Sequence, residues 1–119
     1  MAESIDNLNN ICITQGDPLE LTVFTRGVIF AELGDTVKFM IKANINDLDN
    51  DAIISKNISI TTEKEFEIYV SSTEMKNVSV GKYYWSLRQI KGSDTYTIIP
   101  DSRNCSYPII EIKESLINE

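Results

Sequence analysis

The chain has 119 residues, of which 42% are hydrophobic and 24% charged, which suits one folded domain and excludes two domains or extensive disorder. Its formal net charge is -7 and its basic residues are scattered, so we expect neither a nucleic acid nor an anionic membrane as a partner. It contains no histidine, which removes the most common general base, the Ser-His-Asp and Cys-His catalytic groups and most zinc sites. We therefore predict a single domain, residues 1–119, that is not an enzyme and carries no cofactor.

Stretches rich in β-branched and aromatic residues predict strands along most of the chain. Apolar and polar residues alternate in several of them, as in LELTVFT, where Leu19, Leu21 and Val23 share one face. Turn-forming residues such as Gly34-Asp35 stand between these stretches. In chain order, the predicted strands cover residues 10–14, 19–25, 35–43, 52–60, 65–71, 82–90, 95–99 and 107–113.

The spacing of these strands, with turns between them, predicts an all-β fold of antiparallel strands arranged as a sandwich or a barrel. Helix is limited to one predicted turn over residues 72–77, with Ser72 or Thr73 as the N-cap. The last strand is expected at the edge of a sheet, because Pro108 has no amide hydrogen to donate to a neighbour. Residues 1–9 and 115–119 are expected to be frayed.

The stretch GKYYWSLRQI, residues 81–90, contains the only tryptophan of the chain. If it is a strand, Tyr83, Trp85 and Leu87 share an apolar face, and Tyr84 and Arg88 lie on the opposite, mixed face. An apolar face of this kind is typical of a sandwich core, so we predict that Trp85 is buried rather than part of a binding platform. Tyr84 and Arg88 are the candidates for a binding surface.

One group of residues resembles part of a metal site. In NINDLDND, residues 44–51, the carboxylates of Asp47, Asp49 and Asp51 alternate like the first three ligands of a calcium loop. An EF-hand would continue with Gly and Glu where Ala52 and Ile58 stand, so no complete motif is present. We predict a polar turn and no metal, and keep these three carboxylates as candidates for a looser calcium site.

The cysteines and the N-terminus bear on the compartment. Cys12 and Cys105 are the only cysteines, and we expect reduced thiols, although a disulfide is open if the first and last strands are neighbours. The N-terminal MAESIDNLNN lacks the basic start and apolar stretch of a signal peptide. No apolar run reaches the roughly 20 residues that span a bilayer. We expect a protein that is made in the cytoplasm.

Several motifs occur in an order that resembles a known family. They are ITQGD at 13–17 with LELTV at 19–23, LGDTVKF at 33–39, IISK at 53–56 and GKYYWSL at 81–87. This order, over most of residues 11–113, is similar to the immunoglobulin-like N-terminal domain of phage baseplate upper proteins and to related tail-associated modules of phages and prophages. The resemblance implies an antiparallel two-sheet immunoglobulin-like β-sandwich with at most one short helical turn.

The resemblance also implies a function: a phage or prophage structural protein, an interaction module of the tail or baseplate. Such a module would be assembled into the virion in the bacterial cytoplasm, docking onto other tail or baseplate proteins, often as a homo-oligomer, with no cofactor. The alternative is a carbohydrate- or ligand-binding β-sandwich module. In that case Tyr84, Trp85 and residues 47–51 would form a stacking platform and a calcium-assisted clamp.

Overall fold

The computed structural model describes residues 4–5, 10–24, 34–61, 65–99 and 107–114. Within these residues the secondary structure is almost entirely β, with one α-helical turn, α1 (Ser72–Met75), and one 3-10 turn (Asp49–Asp51). The strands are β1 (Ser4–Ile5), β2 (Ile11–Thr14), β3 (Leu19–Phe24), β4 (Thr36–Lys42), β5 (Ile54–Ser59), β6 (Glu65–Val70), β7 (Gly81–Lys91), β8 (Asp94–Ile99) and β9 (Ile109–Lys113). Each predicted strand is present, with its described ends within two residues of the prediction.

The described strands form two sheets that face each other as a sandwich. The larger sheet has the order β1-β2-β9-β7-β4-β5, with β8 paired to the second half of β7, and the smaller sheet is β3-β6. All pairs are antiparallel except β2 with β9, which run parallel from the Ile11–Ile110 pair to the Thr14–Lys113 pair. The predicted two-sheet immunoglobulin-like β-sandwich is confirmed, with this one parallel pair and the 3-10 turn as additions.

The core lies between the two sheets and follows the period-2 pattern of the sequence. In β6, Phe66, Ile68 and Val70 are buried while the residues between them are exposed. Trp85 of β7 packs on Phe39 of β4, with ring centroids 5.8 Å apart and planes tilted by 48°. Trp85 is only 3% exposed, so its predicted burial in the core is confirmed.

The predicted edge position of the last strand is wrong. β9 is not at an edge, because it pairs with β2 on one side and β7 on the other. Pro108 precedes the first residue of β9, and its carbonyl oxygen accepts a hydrogen bond of 3.2 Å from the Trp85 amide. Its missing amide hydrogen therefore removes no bond from the β9 ladders. At the N-terminus, where residues 1–9 are expected to be frayed, the two residues of β1 pair with β2.

The N-cap of α1 lies one residue before the predicted positions. The Ser71 side-chain oxygen accepts the Glu74 amide hydrogen at 3.3 Å, and the Ser71 hydroxyl donates to the Glu74 carboxylate at 3.1 Å. The Lys56 ammonium binds the same carboxylate at 2.6 Å. Hydrogen bonding from Lys56 is the main cause that lowers the pKa of Glu74. These contacts tie α1 to β5, and the buried Met75 anchors the turn in the core.

Three further expectations concern the cysteines, the C-terminus and the membrane. Cys12 is a half-buried free thiol on β2, whereas Cys105 and residues 115–119 lie outside the described residues. In the part of the chain that the structure describes, no helix has the length and apolar character needed to cross a membrane.

Candidate functional site

A cleft of about 500 Å³ opens on the outer face of the larger sheet, away from the core between the sheets. Its floor is β7, the strand that contains the aromatic stretch GKYYWSLRQI. One wall is formed by residues 45–50, which connect β4 to β5, and the other by Tyr107, shortly before β9. We call this the outer-face cleft. Its volume lies in the range of about 300–1,000 Å³ that is usual for small-molecule sites.

The floor follows directly from strand alternation. Trp85 and Leu87 turn into the core, so Tyr84, Ser86 and Arg88 turn outward into the cleft. In the antiparallel ladder of β7 with β4, Tyr84 lies opposite Lys42, which lines the same cleft. Residues that are directly opposite on one face of a sheet have neighbouring side chains. The predicted binding-surface residues Tyr84 and Arg88 therefore lie in one concave site.

Part of the outer face of the larger sheet is shielded from solvent at β4 and β7. Met40 of β4 and Ser86 of β7 are opposite each other and point away from the core, yet both are buried. Their burial shows that other parts of the chain shield this part of the outer face from solvent. The outer-face cleft thus lies against a packed surface.

The wall formed by residues 45–50 is held by short-range hydrogen bonds. The Asn44 amide donates to the Asp47 carboxylate, and the Asp47 amide donates to the Asn44 carbonyl, both at 3.1 Å. The Asp51 amide donates to the Leu48 carbonyl at 2.9 Å. Asp and Asn stabilise turns in this way, because their short side chains bond the nearby backbone.

An ion cluster joins this wall to the floor. The Lys42 ammonium contacts one carboxylate oxygen of Asp49 at 2.8 Å and also donates to the Asp47 carbonyl at 2.9 Å. The Arg88 guanidinium contacts the other oxygen of Asp49 at 3.3 Å. The hydrogen bond from Lys42 is the main cause that lowers the pKa of Asp49, and the Arg88 charge acts in the same direction while burial opposes it. Asp49 is therefore ionised at neutral pH and links β4, β7 and the connecting loop.

The rim of the cleft is apolar. Leu48 is 70% exposed and Ile45 is 49% exposed, although both have large apolar side chains. Tyr107, on the opposite wall, is 37% exposed. A concave site that combines aromatic and aliphatic walls with a few fixed polar groups is typical of ligand-binding clefts.

The three carboxylates considered for calcium have different environments. The Asp49 carboxylate contacts the charged side chains of Lys42 and Arg88. The Asp47 carboxylate accepts a hydrogen bond from a backbone amide, and Asp51 does not line the cleft. Across the described ranges, no three His, Cys, Asp or Glu residues are grouped so that they could hold a metal ion. The arrangement fits a polar turn stabilised by lysine and arginine.

Sequence reasoning missed two contributors to the cleft. The sequence places Lys42 within the predicted strand 35–43 and Tyr107 at the start of the predicted strand 107–113, and it indicates no role in binding for either residue. The Lys42–Asp49 contact spans a loop of six residues, and its spacing carries no periodic signal. Tyr107 reaches the cleft because Pro108 bonds to Trp85, a contact that joins residues distant in sequence.

A second exposed feature is the edge formed by β5. In the described residues, β5 pairs with β4 on one side and with no strand on the other. The Ile60 amide donates to the Asp35 carbonyl at 2.9 Å, which extends the β4–β5 register by one residue. Because hydrogen-bonded residues alternate along an antiparallel ladder, the backbone groups of Ser55, Asn57 and Ser59 point away from β4.

Comparison of this chain with protein-family models, with curated proteins and with solved structures found no match.

Proposed function

We propose that this chain is a non-catalytic interaction module of a phage or prophage tail or baseplate, which docks onto other tail proteins and onto copies of itself. Two observations support the proposal. The order of sequence motifs resembles that of phage baseplate modules, and the fold is an immunoglobulin-like sandwich of the kind that the resemblance implies. A fold of this class serves many functions, so the docking surface carries the proposal.

The observation that carries the proposal is the edge of β5. The backbone groups of Ser55, Asn57 and Ser59 face away from β4, and the three side chains are exposed. Such a row of donors and acceptors is a ready template on which a strand of another chain can pair. Natural edges are often protected by proline or by an exposed lysine. β5 contains no proline, and its only lysine, Lys56, is bound to Glu74.

The chemistry of this edge defines the partner segment. Main-chain hydrogen bonds would supply the affinity. Because the side chains of Ser55, Asn57 and Ser59 are small and polar, the partner strand that fits beside them is one that has no large apolar residues. A single six-residue pairing is a small contact. In a symmetric tail assembly the same contact is repeated, and linked copies bind far more tightly than one copy alone.

The experiment is a pull-down with the tagged chain against tail and baseplate proteins of the phage or prophage that encodes it, with light scattering to measure self-association. The wild-type chain is expected to capture a tail protein or to form an oligomer. Asn57→Pro removes an outward-facing amide hydrogen at a position where proline breaks no bond to β4, so it is expected to abolish the capture.

Asn57→Ala is the matched control, because it removes the same side chain and keeps the amide hydrogen; it is expected to bind like the wild type. Thermal unfolding is measured on both variants to check that they are folded. A wild-type chain that stays a monomer and captures no tail protein would contradict the proposed function. Equal capture by the alanine and proline variants would contradict β5 as the docking edge.

A further inference from the structure

The outer-face cleft has features that the docking edge does not use. The cleft lies on a face of the larger sheet, whereas docking at β5 involves backbone groups at the edge of that sheet. Two tyrosines, Tyr84 on the floor and Tyr107 on the wall, present aromatic surface to the same concave volume. Ser86, Arg88 and Asp49 line the same cleft.

The charges around the cleft balance. Lys42 and Arg88 contribute two positive charges, and Asp47 and Asp49 contribute two negative charges. Both cations contact Asp49, at 2.8 and 3.3 Å, so neither presents an isolated charge. The whole chain also has a net charge of -7. A phosphate- or sulfate-bearing ligand would gain little from such a site, because the residues that line the cleft carry no net positive charge.

The polar groups of the cleft offer both donors and acceptors at short spacing. Arg88 and Lys42 donate, Asp49 accepts, and the Asn50 amide and the Ser86 hydroxyl can do either. A ligand with many hydroxyl groups matches this mixture, because each hydroxyl also donates and accepts. A purely apolar ligand does not match it, since the ion cluster would lose water without a replacement partner.

The tyrosine rings complete the match. One face of a pyranose ring is mostly C–H, and placing that face on an aromatic ring removes apolar surface from water while the hydroxyls stay at the edge. The cleft volume of about 500 Å³ can hold sugar rings of this kind. We infer that the outer-face cleft binds a neutral oligosaccharide, with Tyr84 and Tyr107 as stacking surfaces and the Lys42–Asp49–Arg88 cluster as the hydrogen-bonding groups.

This inference differs from the sequence-based sugar-binding alternative in two ways. Trp85 is not available for stacking, because it is 3% exposed and packs on Phe39; Tyr107 takes its place. No calcium is needed to hold residues 45–50, because the Lys42 and Arg88 contacts to Asp49 already connect this wall to the sheet.

The test is a titration of the isotope-labelled chain with three neutral probes, cellohexaose, maltohexaose and the N-acetylated hexamer of chitin, followed by NMR. A sulfated heparin hexasaccharide is the anionic comparison. At least one neutral probe is expected to shift the amide signals of Asn50, Ser86 and Arg88 in a saturable way, with a much smaller effect from heparin. No saturable shift with any neutral probe, or a response to heparin alone, would overturn the inference.

Variants locate the binding. Tyr84→Ala and Tyr107→Ala are each expected to weaken the binding of the active probe by about tenfold, a typical loss for one buried aromatic contact. Tyr69→Ala is the matched control, because Tyr69 is an exposed tyrosine on the other sheet, and it should leave the affinity unchanged. Affinities unaffected by both cleft variants would overturn the assignment.

The two proposals can fail separately. Asn57→Pro changes the edge of β5 and not the cleft, so it is expected to bind the oligosaccharide normally. Tyr84→Ala changes the cleft and not the edge, so it is expected to capture the tail protein normally. A sugar-binding chain that captures no tail protein would contradict the docking function and leave the cleft assignment standing.

Discussion

The Tyr83 hydroxyl donates a hydrogen bond of 2.7 Å to the carbonyl oxygen of Ser79, four residues earlier in the chain. Tyr83 stands near the start of β7, two residues before the buried Trp85, and closes the connection from α1 back into the larger sheet. This arrangement matches the tyrosine corner of immunoglobulin-like sandwiches.

Removing this hydroxyl tests how much the corner stabilises the fold. Tyr83→Phe is expected to lower the free energy of unfolding by about 1 kcal/mol, because the Ser79 carbonyl loses its donor while the ring is kept. For a chain of this size the melting temperature should fall by roughly 3–6 °C. Tyr96→Phe, at an exposed tyrosine on β8, is the control and should leave the melting temperature unchanged. Equal effects of the two substitutions would contradict a structural role for the corner.

The burial of Trp85 has a spectroscopic consequence. As the only tryptophan it reports on the core alone, and its contact with Phe39 keeps water away from the indole. We predict a blue-shifted emission and weak quenching by iodide in the folded chain, both lost on unfolding in guanidinium chloride. An emission at the wavelength of exposed indole before unfolding would contradict this packing.

The position of the helix cap can be tested with two neighbouring serines. Ser71→Ala is expected to destabilise the chain by about 1 kcal/mol, since the Glu74 amide loses its acceptor. Ser72→Ala, at a position that sequence reasoning offered as the cap, should change stability by less than about 0.5 kcal/mol. Denaturant unfolding measures both values. A larger effect at Ser72 would place the cap where the sequence predicted it.

The Asp49 cluster predicts a pH dependence. Lys42 and Arg88 lower the pKa of Asp49 in the folded state below its ordinary value of 3.8, so its ionised form binds them and stabilises the fold. This contribution is fully present above the ordinary pKa and is lost as the pH falls through the lower folded value. The wild type should therefore be more stable than Asp49→Asn at pH 6, and the difference should shrink below about pH 4.

Salt and a neighbouring carboxylate provide the controls for this experiment. Because Asp49 is 41% exposed, high salt should reduce the difference at pH 6. Asp51→Asn changes a carboxylate of the same loop that has no ion pair within the described residues, and it should lower the stability at pH 6 less than Asp49→Asn does. A difference between wild type and Asp49→Asn that persists unchanged at pH 2.5 would contradict an electrostatic role for Asp49.

Much of the fold was predictable because alternation of apolar and polar residues reports directly on burial. In β6 the pattern Phe66, Ile68 and Val70 predicts the buried face correctly, and Trp85 was assigned to the core for the same reason. The position of β9 was not predictable in this way. The sequence pattern places Pro108 inside an edge strand, whereas Pro108 precedes β9 and accepts a hydrogen bond with its carbonyl, which proline retains.

The candidate site was predicted in part. Tyr84 and Arg88 were found because alternation places them on the face opposite Trp85. Their neighbours Lys42 and Tyr107 come from other strands and loops, and they meet β7 only through register and long-range contacts. The sequence places Asp49 in a polar turn, but it does not show that Lys42 and Arg88, which are distant in sequence or on another strand, both contact its carboxylate.

The most direct test of the account is residue-specific amide hydrogen exchange on β5, in the free chain and in the complex captured with a tail protein. In the free chain, the amides of Ser55, Asn57 and Ser59 should exchange fast, while those of Lys56 and Ile58, bonded to β4, should exchange slowly. In the complex, the three fast amides are predicted to become slow. Unchanged fast exchange at these three amides, with new protection elsewhere, would contradict docking at the β5 edge.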